Sequence, residues 1–308
     1  MLLELLTLVS GIFILAYCSE HGVSHAASFA TTAGIPRIVV GVVIVSIGTD
    51  LPELVNSIFS SAMGHGDINV GDSLGSCLGQ ISLILGLVGI VSGGFKVDRE
   101  EVLELGRSEL MGLLLAIFIS KSGFISRVDA LLLIGGYVLL IIASRHYLLK
   151  NYKEQNFASG KAFKHLLMFF IYLAGVGVGS YMVVNAAILL SSELHVLEYL
   201  ISFFVLAIGT SLPELVVDIT AARKKEYAIA LGDIIGSNIV DSTLSIAAGP
   251  LIAPISFNGS LAFITGLWAF LVSLIVLLIL GLKREMSPRM GVFFIILYLL
   301  SYSLLFID

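Results

Sequence analysis

The chain has 308 residues, 57% of them apolar and only 13% charged, and its mean hydropathy of +1.03 lies outside the range of soluble globular proteins. The net charge of −5 has no acidic or basic tail behind it, so nucleic acid is not an expected partner. Two cysteines in separate apolar segments, Cys18 and Cys77, offer neither a disulfide framework nor a zinc spacing.

An all-α polytopic membrane protein remains, and about 20 apolar residues make one span. The pattern predicts ten transmembrane helices, at 2–33, 36–63, 69–92, 107–120, 126–148, 163–191, 196–222, 228–253, 259–281 and 289–306. The first run contains Glu4 and lacks a basic n-region and a small-residue cleavage site, so it reads as a retained helix rather than a signal peptide. The charged run from Lys96 to Arg107 reads as a solvated loop. Five helices precede a polar stretch at 150–164, the only linker of any length, and five follow it. This divides the chain into a first repeat at 1–149, a short linker, and a second repeat at 165–308.

Lysine and arginine set the orientation. Connections after odd-numbered helices and their flanks hold 15 of these residues, and the opposite side holds Lys121 and Arg127 only. By the positive-inside rule the linker is cytoplasmic and both termini face outside. The chain carries no organelle signal, which points to the plasma (inner) membrane.

The two halves are copies. IGTDLPEL at 47–54 returns as IGTSLPEL at 208–215, and VGDSLGSCLGQ at 70–80 returns as LGDIIGSNIVD at 231–241. One offset of 161 covers both, with 14 identities in 34 aligned positions. Because each half has an odd number of spans, the second copy enters the membrane upside down. Inverted five-helix repeats with broken helices meeting at the midplane are the plan of secondary transporters.

Each copy keeps a Gly, a Pro and a Glu inside an apolar run. An intramembrane acid costs roughly 2.5 to 3.5 kcal/mol, so it marks a functional site by default. Pro52 and Pro213 remove a helical N–H and open the helix near Thr49 and Thr210. Opened backbone at membrane depth persists where it lines a polar cavity. Hydroxyls, carbonyls and carboxylates there suit a hard cation such as calcium, which takes six to eight oxygens. The ion-binding windows are therefore 46–80 and 207–241. The first offers Thr49, Asp50, Glu53, Ser76 and Gln80, and the second Thr210, Ser211, Glu214, Ser237 and Asp241. Asp72 and Asp233 follow a Gly near a helix start, where a carboxylate either caps backbone N–H groups or lines an entrance. Asp218, one turn beyond Glu214, has only Ser57 as its counterpart. Gly71, Gly75 and Gly79 recur every fourth residue, a spacing that lets helices approach closely.

At these motifs, G-T-S-L-P-E and G-S-N-x-x-D above all, the sequence resembles the cation/calcium exchanger superfamily, specifically the prokaryotic sodium/calcium exchangers. The resemblance covers the architecture of the whole chain. It implies four cation positions at the midplane where calcium and sodium compete, with Glu53 and Glu214 as the central calcium ligands. Thr49, Thr210, Ser76 and Ser237 become flanking oxygen donors, and Gln80 and Asp241 the middle position. Helices 1 and 6 become the pair that slides to alternate access. No cofactor is implied; calcium and sodium are cargo, and the chain is expected to work as a monomer in the bilayer.

Several positions depart from the family pattern: Asp50 stands where Ser is usual, Cys77 where Asn is common, Gln80 where Asn or Asp is usual, and Asp72 and Asp233 where Asn is frequent. With Asp50, four carboxylates (Asp50, Glu53, Glu214 and Asp241) fall near one site, and so many like charges require cations to balance them. A proton, or potassium carried with calcium, is therefore an alternative to sodium as counter-ion. A cation channel is a more distant alternative, because channels usually ring a pore with symmetric subunits. An intramembrane aspartyl protease built on Asp72 and Asp233 is another; it leaves the glutamates and the Pro-broken helices without a role. His21 and His25, four apart on helix 1, are two potential metal ligands without a visible third.

Overall fold

The computed structural model describes residues 2–32, 46–150, 162–225 and 227–306. In the first half, α1 (Leu2–Thr32) is followed by α2 (Ser46–Thr49) and α3 (Leu51–Ala62), parted at Asp50. Next, α4 (Gly66–Leu78) runs through a π turn at Gly79–Ile84 into α5 (Leu85–Val91), and α6 (Arg99–Ser120) and α7 (Arg127–Lys150) complete the half.

The second half repeats this order. After α8 (Ala162–Leu194), α9 (Glu198–Ile201) passes through a π turn at Ser202–Leu206 into α10 (Ala207–Thr210), which is parted at Ser211 from α11 (Leu212–Arg223). Then α12 (Tyr227–Val240) meets a π turn at Asp241–Ser245 and continues as α13 (Ile246–Ile252), and α14 (Gly259–Lys283) and α15 (Pro288–Leu300) follow. These segments occupy the ten predicted spans in order. Five are long and apolar enough to cross a membrane unaided, and the bent pair α9–α10 and α11, inclined at 43°, makes a sixth. The beginning of the second predicted span, 36–45, and most of the linker, 151–161, with Arg37, Lys153 and Lys161, lie outside the described residues.

One expectation is corrected. The charged run is not a loop: α6 starts at Arg99, eight residues before the predicted 107. Asp98 caps it, its carboxylate accepting from the Glu100 N–H at 2.9 Å. The Glu-rich first turns that follow are good helix formers and favour the positive end of the helix dipole.

Four two-residue strands tie the loops together. β1 (Phe95–Lys96) pairs antiparallel with β4 (Glu285–Met286), and β2 (Phe124–Ile125) with β3 (Ile255–Ser256). Adding 161 carries Phe95 of β1 to Ser256 of β3 and Phe124 of β2 to Glu285 of β4, so the duplication exchanges the two pairs. The β1–β4 pair joins the connections after helices 3 and 9, and the β2–β3 pair those after helices 4 and 8. On the latter side His65 also meets Glu198 at 2.8 Å, and Asp67 accepts from the Asn258 N–H at 2.6 Å. Odd and even connections thus gather on separate faces.

Duplicated positions also touch each other. The Cys77 thiol donates to the carbonyl of Asn238 at 3.6 Å, and the Gln80 amide donates to Asp241 at 3.1 Å, each pair 161 apart in sequence. A residue in contact with its own copy lies on the pseudo-two-fold axis. That axis passes between α4 and α12 with their π turns, and the site is built around it.

The main apolar core runs from Val70 to Tyr298 through α4–α7 and α9–α15. The two longest helices, α1 and α8, pack side by side through a second cluster that includes Leu8, Leu15, Val176, Val183 and Ala187, with Ile68, Ile201 and Leu206 joining it.

Candidate ion-binding site

Both Pro-bearing helices break one residue after the threonine, at Asp50 and Ser211, whose backbones leave helical geometry (φ −77°, ψ 8° and φ −83°, ψ 14°). The sequence placed the openings at Thr49 and Thr210; those residues instead end α2 and α10. Pro52 and Pro213 sit in the first turn of α3 and α11, where the missing N–H has no helical acceptor anyway. The restart of each helix therefore carries its glutamate into the gap, and Glu53 and Glu214 are both fully buried.

Carboxylate oxygens of Asp50, Glu53 and Glu214 lie within 4.8 Å of one another. Glu53 Oε1 accepts from the Ser211 hydroxyl at 3.3 Å and from the Ser76 hydroxyl at 3.5 Å. Among the described residues nothing donates to Glu53 Oε2 or to either oxygen of Asp50 or Glu214. The Ser237 hydroxyl and Gln80 Oε1 are likewise buried without a partner. Unit charges at such a separation repel by about 3 kcal/mol per pair at an effective dielectric of about 20. Three such pairs, with donors to only one of the oxygens, form a site that a cation completes.

Gln80 and Asp241 stand beside this cluster rather than in it. The Gln80 amide donates to Ser211 Oγ at 3.4 Å and to Asp241 Oδ2, while Ser245 donates to Asp241 Oδ1 at 3.0 Å. Asp241 has a donor on each oxygen and so differs from the three donor-poor carboxylates beside it. The Thr210 hydroxyl donates to Asp72 Oδ1 at 3.0 Å, and Thr49 is buried next to Asp50.

Asp72 is no helix cap. It lies within α4 and takes a second donor, Asn56 Nδ2, at 2.6 Å. Asp233, in the matching place on α12, instead stands within hydrogen-bonding reach of Asp218.

Close approach makes this arrangement possible. A Cβ on Gly71 would lie 2.6 Å from the Tyr199 carbonyl, and one on Gly75 would overlap the Phe203 carbonyl. Both glycines thus face the second copy's broken helix at its π turn. Gly79 faces open space, so the third member of the predicted row has no packing role.

Two residues escaped the sequence reading. Glu109, fully buried on α6, accepts from Asn238 Nδ2 at 2.9 Å and so anchors the residue after Ser237. Its signal was a lone acid inside the apolar stretch of the fourth span. Asn56, which donates to Asp72, carried no signal until the fold brought the two together.

The profile described as sodium/calcium exchanger protein matches residues 3–145 and 164–307. The chain belongs to this family. Curated relatives include an uncharacterized membrane protein of Methanocaldococcus jannaschii, 32% identical over 95% of both chains, and the inner membrane protein YrbG of Escherichia coli, 33% identical over 95% of this chain and 93% of that one. The sodium/calcium exchanger MaX1 of Methanosarcina acetivorans is 27% identical over 98% of both. Among solved structures, the sodium-calcium exchanger NCX_Mj soaked with sodium and strontium matches with a TM-score of 0.65 and 29% identity over 98% of each chain.

Membership makes the chain a membrane transporter rather than an enzyme, and removes the protease alternative. The fold is the ten-helix inverted repeat that the sequence predicted.

Proposed function

We propose that the protein is a secondary antiporter that exchanges calcium for sodium by alternating access. The buried cluster of Asp50, Glu53 and Glu214 carries this reading: its oxygens suit a hard divalent cation. Thr49, Thr210, Ser76, Ser211 and Ser237 supply further oxygens, and Gln80 with Asp241 forms the position on the pseudo-two-fold axis. The name MaX1 as a sodium/calcium exchanger, and the NCX_Mj soaks with sodium, calcium and strontium, support the same ions.

Residues 1–149 and 165–308 act as the two repeats around a cytoplasmic linker at 150–164, with both termini outside the plasma (inner) membrane. The α1–α8 pair, packed through its own apolar cluster, slides against the rest. One chain holds a complete site and works as a monomer.

The third carboxylate supports a second reading of the counter-ion. Two carboxylates balance one calcium, so Asp50 leaves a residual negative charge that a proton or a potassium ion carried with calcium can fill. Calcium uptake into proteoliposomes, driven in turn by sodium, by protons, and by sodium with added potassium, separates these cases. Uptake with sodium alone supports conventional exchange; a requirement for protons or potassium assigns Asp50 the extra ion. Rapid, unsaturable flux without any counter-ion would overturn the exchanger reading.

A further inference from the structure

The duplication provides an internal control for the acids outside the central cluster. In the first copy Asp72 has a donor on each oxygen, Asn56 and Thr210. Its neighbour Ser57, the counterpart of Asp218, accepts from the Gly249 N–H at 2.9 Å. Every polar group named on that side has a partner.

The second copy differs. Asp233 meets another acid, Asp218, in place of an amide. Asp218 is fully buried, and among the described residues no donor reaches either of its oxygens or Asp233 Oδ2. Two buried carboxylates facing each other, with no donor to three of their four oxygens among the described residues, need positive charge between them. The residues at the equivalent positions in the other copy show that the fold does not impose this pairing.

Position gives the pair a role. Asp218 is one turn beyond Glu214 on α11, toward Arg223, and Asp233 is one turn before Ser237 on α12, toward Tyr227. Four residues of helix rise about 6 Å. Both carboxylates therefore lie on the same side of the central cluster, nearer the basic turn at Arg223–Lys225. Asp233 is 7% exposed, against 0% for both Asp218 and Glu214, so it is the more accessible of these acids.

We propose that Asp218 and Asp233 form a second divalent-cation site, which receives calcium between the Arg223–Lys225 face and the central cluster. Two carboxylates neutralise one dication and supply up to four oxygens, fewer than calcium's usual six to eight, so this site binds more weakly than the central one. The choice of calcium rests on the exchanger reading; the site's existence rests on the unpaired acids.

The test is calcium binding to the purified full-length protein in sodium-free buffer, by equilibrium dialysis with radioactive calcium. The wild type should bind two calcium ions per chain, one tightly and one weakly. Asp218→Asn and Asp233→Asn should each remove the weak ion and keep the tight one, whereas Asp72→Asn should leave the count at two. Glu53→Gln should remove the tight ion and keep the weak one. A single wild-type site that survives both Asp218→Asn and Asp233→Asn overturns the second site. A weak ion lost in Asp218→Asn, with no effect of Glu53→Gln, sustains this site and removes the central assignment instead. Retained folding of either aspartate variant, judged by gel filtration, suffices to decide.

Discussion

Glu53 and Glu214 are copies of one residue, yet they are held differently. Glu53 Oε1 has two serine donors, while neither oxygen of Glu214 has any. Neutralising either should abolish calcium uptake, because it removes a central carboxylate ligand and leaves the buried dication short of the charge positioned to hold it. Glu53→Gln and Glu214→Gln, assayed in proteoliposomes, should each lower uptake by more than about 100-fold, equivalent to the roughly 3 kcal/mol or more of a broken buried charge interaction. Normal uptake in either variant would remove the cluster from the mechanism. Asp50 is a different matter, because its charge exceeds what one calcium requires. Asp50→Ser should retain calcium uptake and change its dependence on protons or potassium; an unaltered counter-ion profile would deny Asp50 that role.

At the scale of elements, the site depends on four interrupted helices. The breaks at Asp50 and Ser211 aim the glutamates, and the π turns at Gly79–Ile84 and Asp241–Ser245 carry Gln80 and Asp241. The contact between α4 and the broken helix of the second copy is as tight as backbone allows at Gly75. A side chain there forces the Phe203 carbonyl away, and overpacking of this kind typically costs about 1 to 3 kcal/mol. Gly75→Val should therefore lower the thermal unfolding midpoint in detergent, whereas Gly79→Ala, facing open space, should leave it nearly unchanged. Equal midpoints for the two variants would contradict the close approach.

For the whole molecule, the strand pairs and the His65–Glu198 contact collect odd and even connections on opposite faces. The basic residues follow the same division. Lys225→Cys should thus be labelled by a membrane-impermeant maleimide only after cells are opened, and Lys121→Cys in intact cells. The reverse pattern would invert the proposed orientation while leaving the repeat intact.

Much of this was legible in the sequence, because a bilayer restricts the possible structures so strongly. Backbone polar groups in lipid must be satisfied internally, so apolar runs of sufficient length become helices, and their count and charge bias give the topology. Duplicated Pro-Glu motifs then mark the midplane, and all ten proposed ligands come from two short windows. The start of α6 was misjudged because charged residues suit both a loop and the first turns of a capped helix. Which acids face one another was decided only by the tertiary structure. Asp72 and Asp233 look identical in sequence, yet one meets Asn56 and Thr210 and the other meets Asp218; Asp50, Glu53 and Glu214 converge while Asp241 is held aside by Gln80 and Ser245. Spacing along a helix fixes the face and depth of a side chain. The partner across the gap depends on how the two copies pack around their shared axis, and no local pattern encodes that.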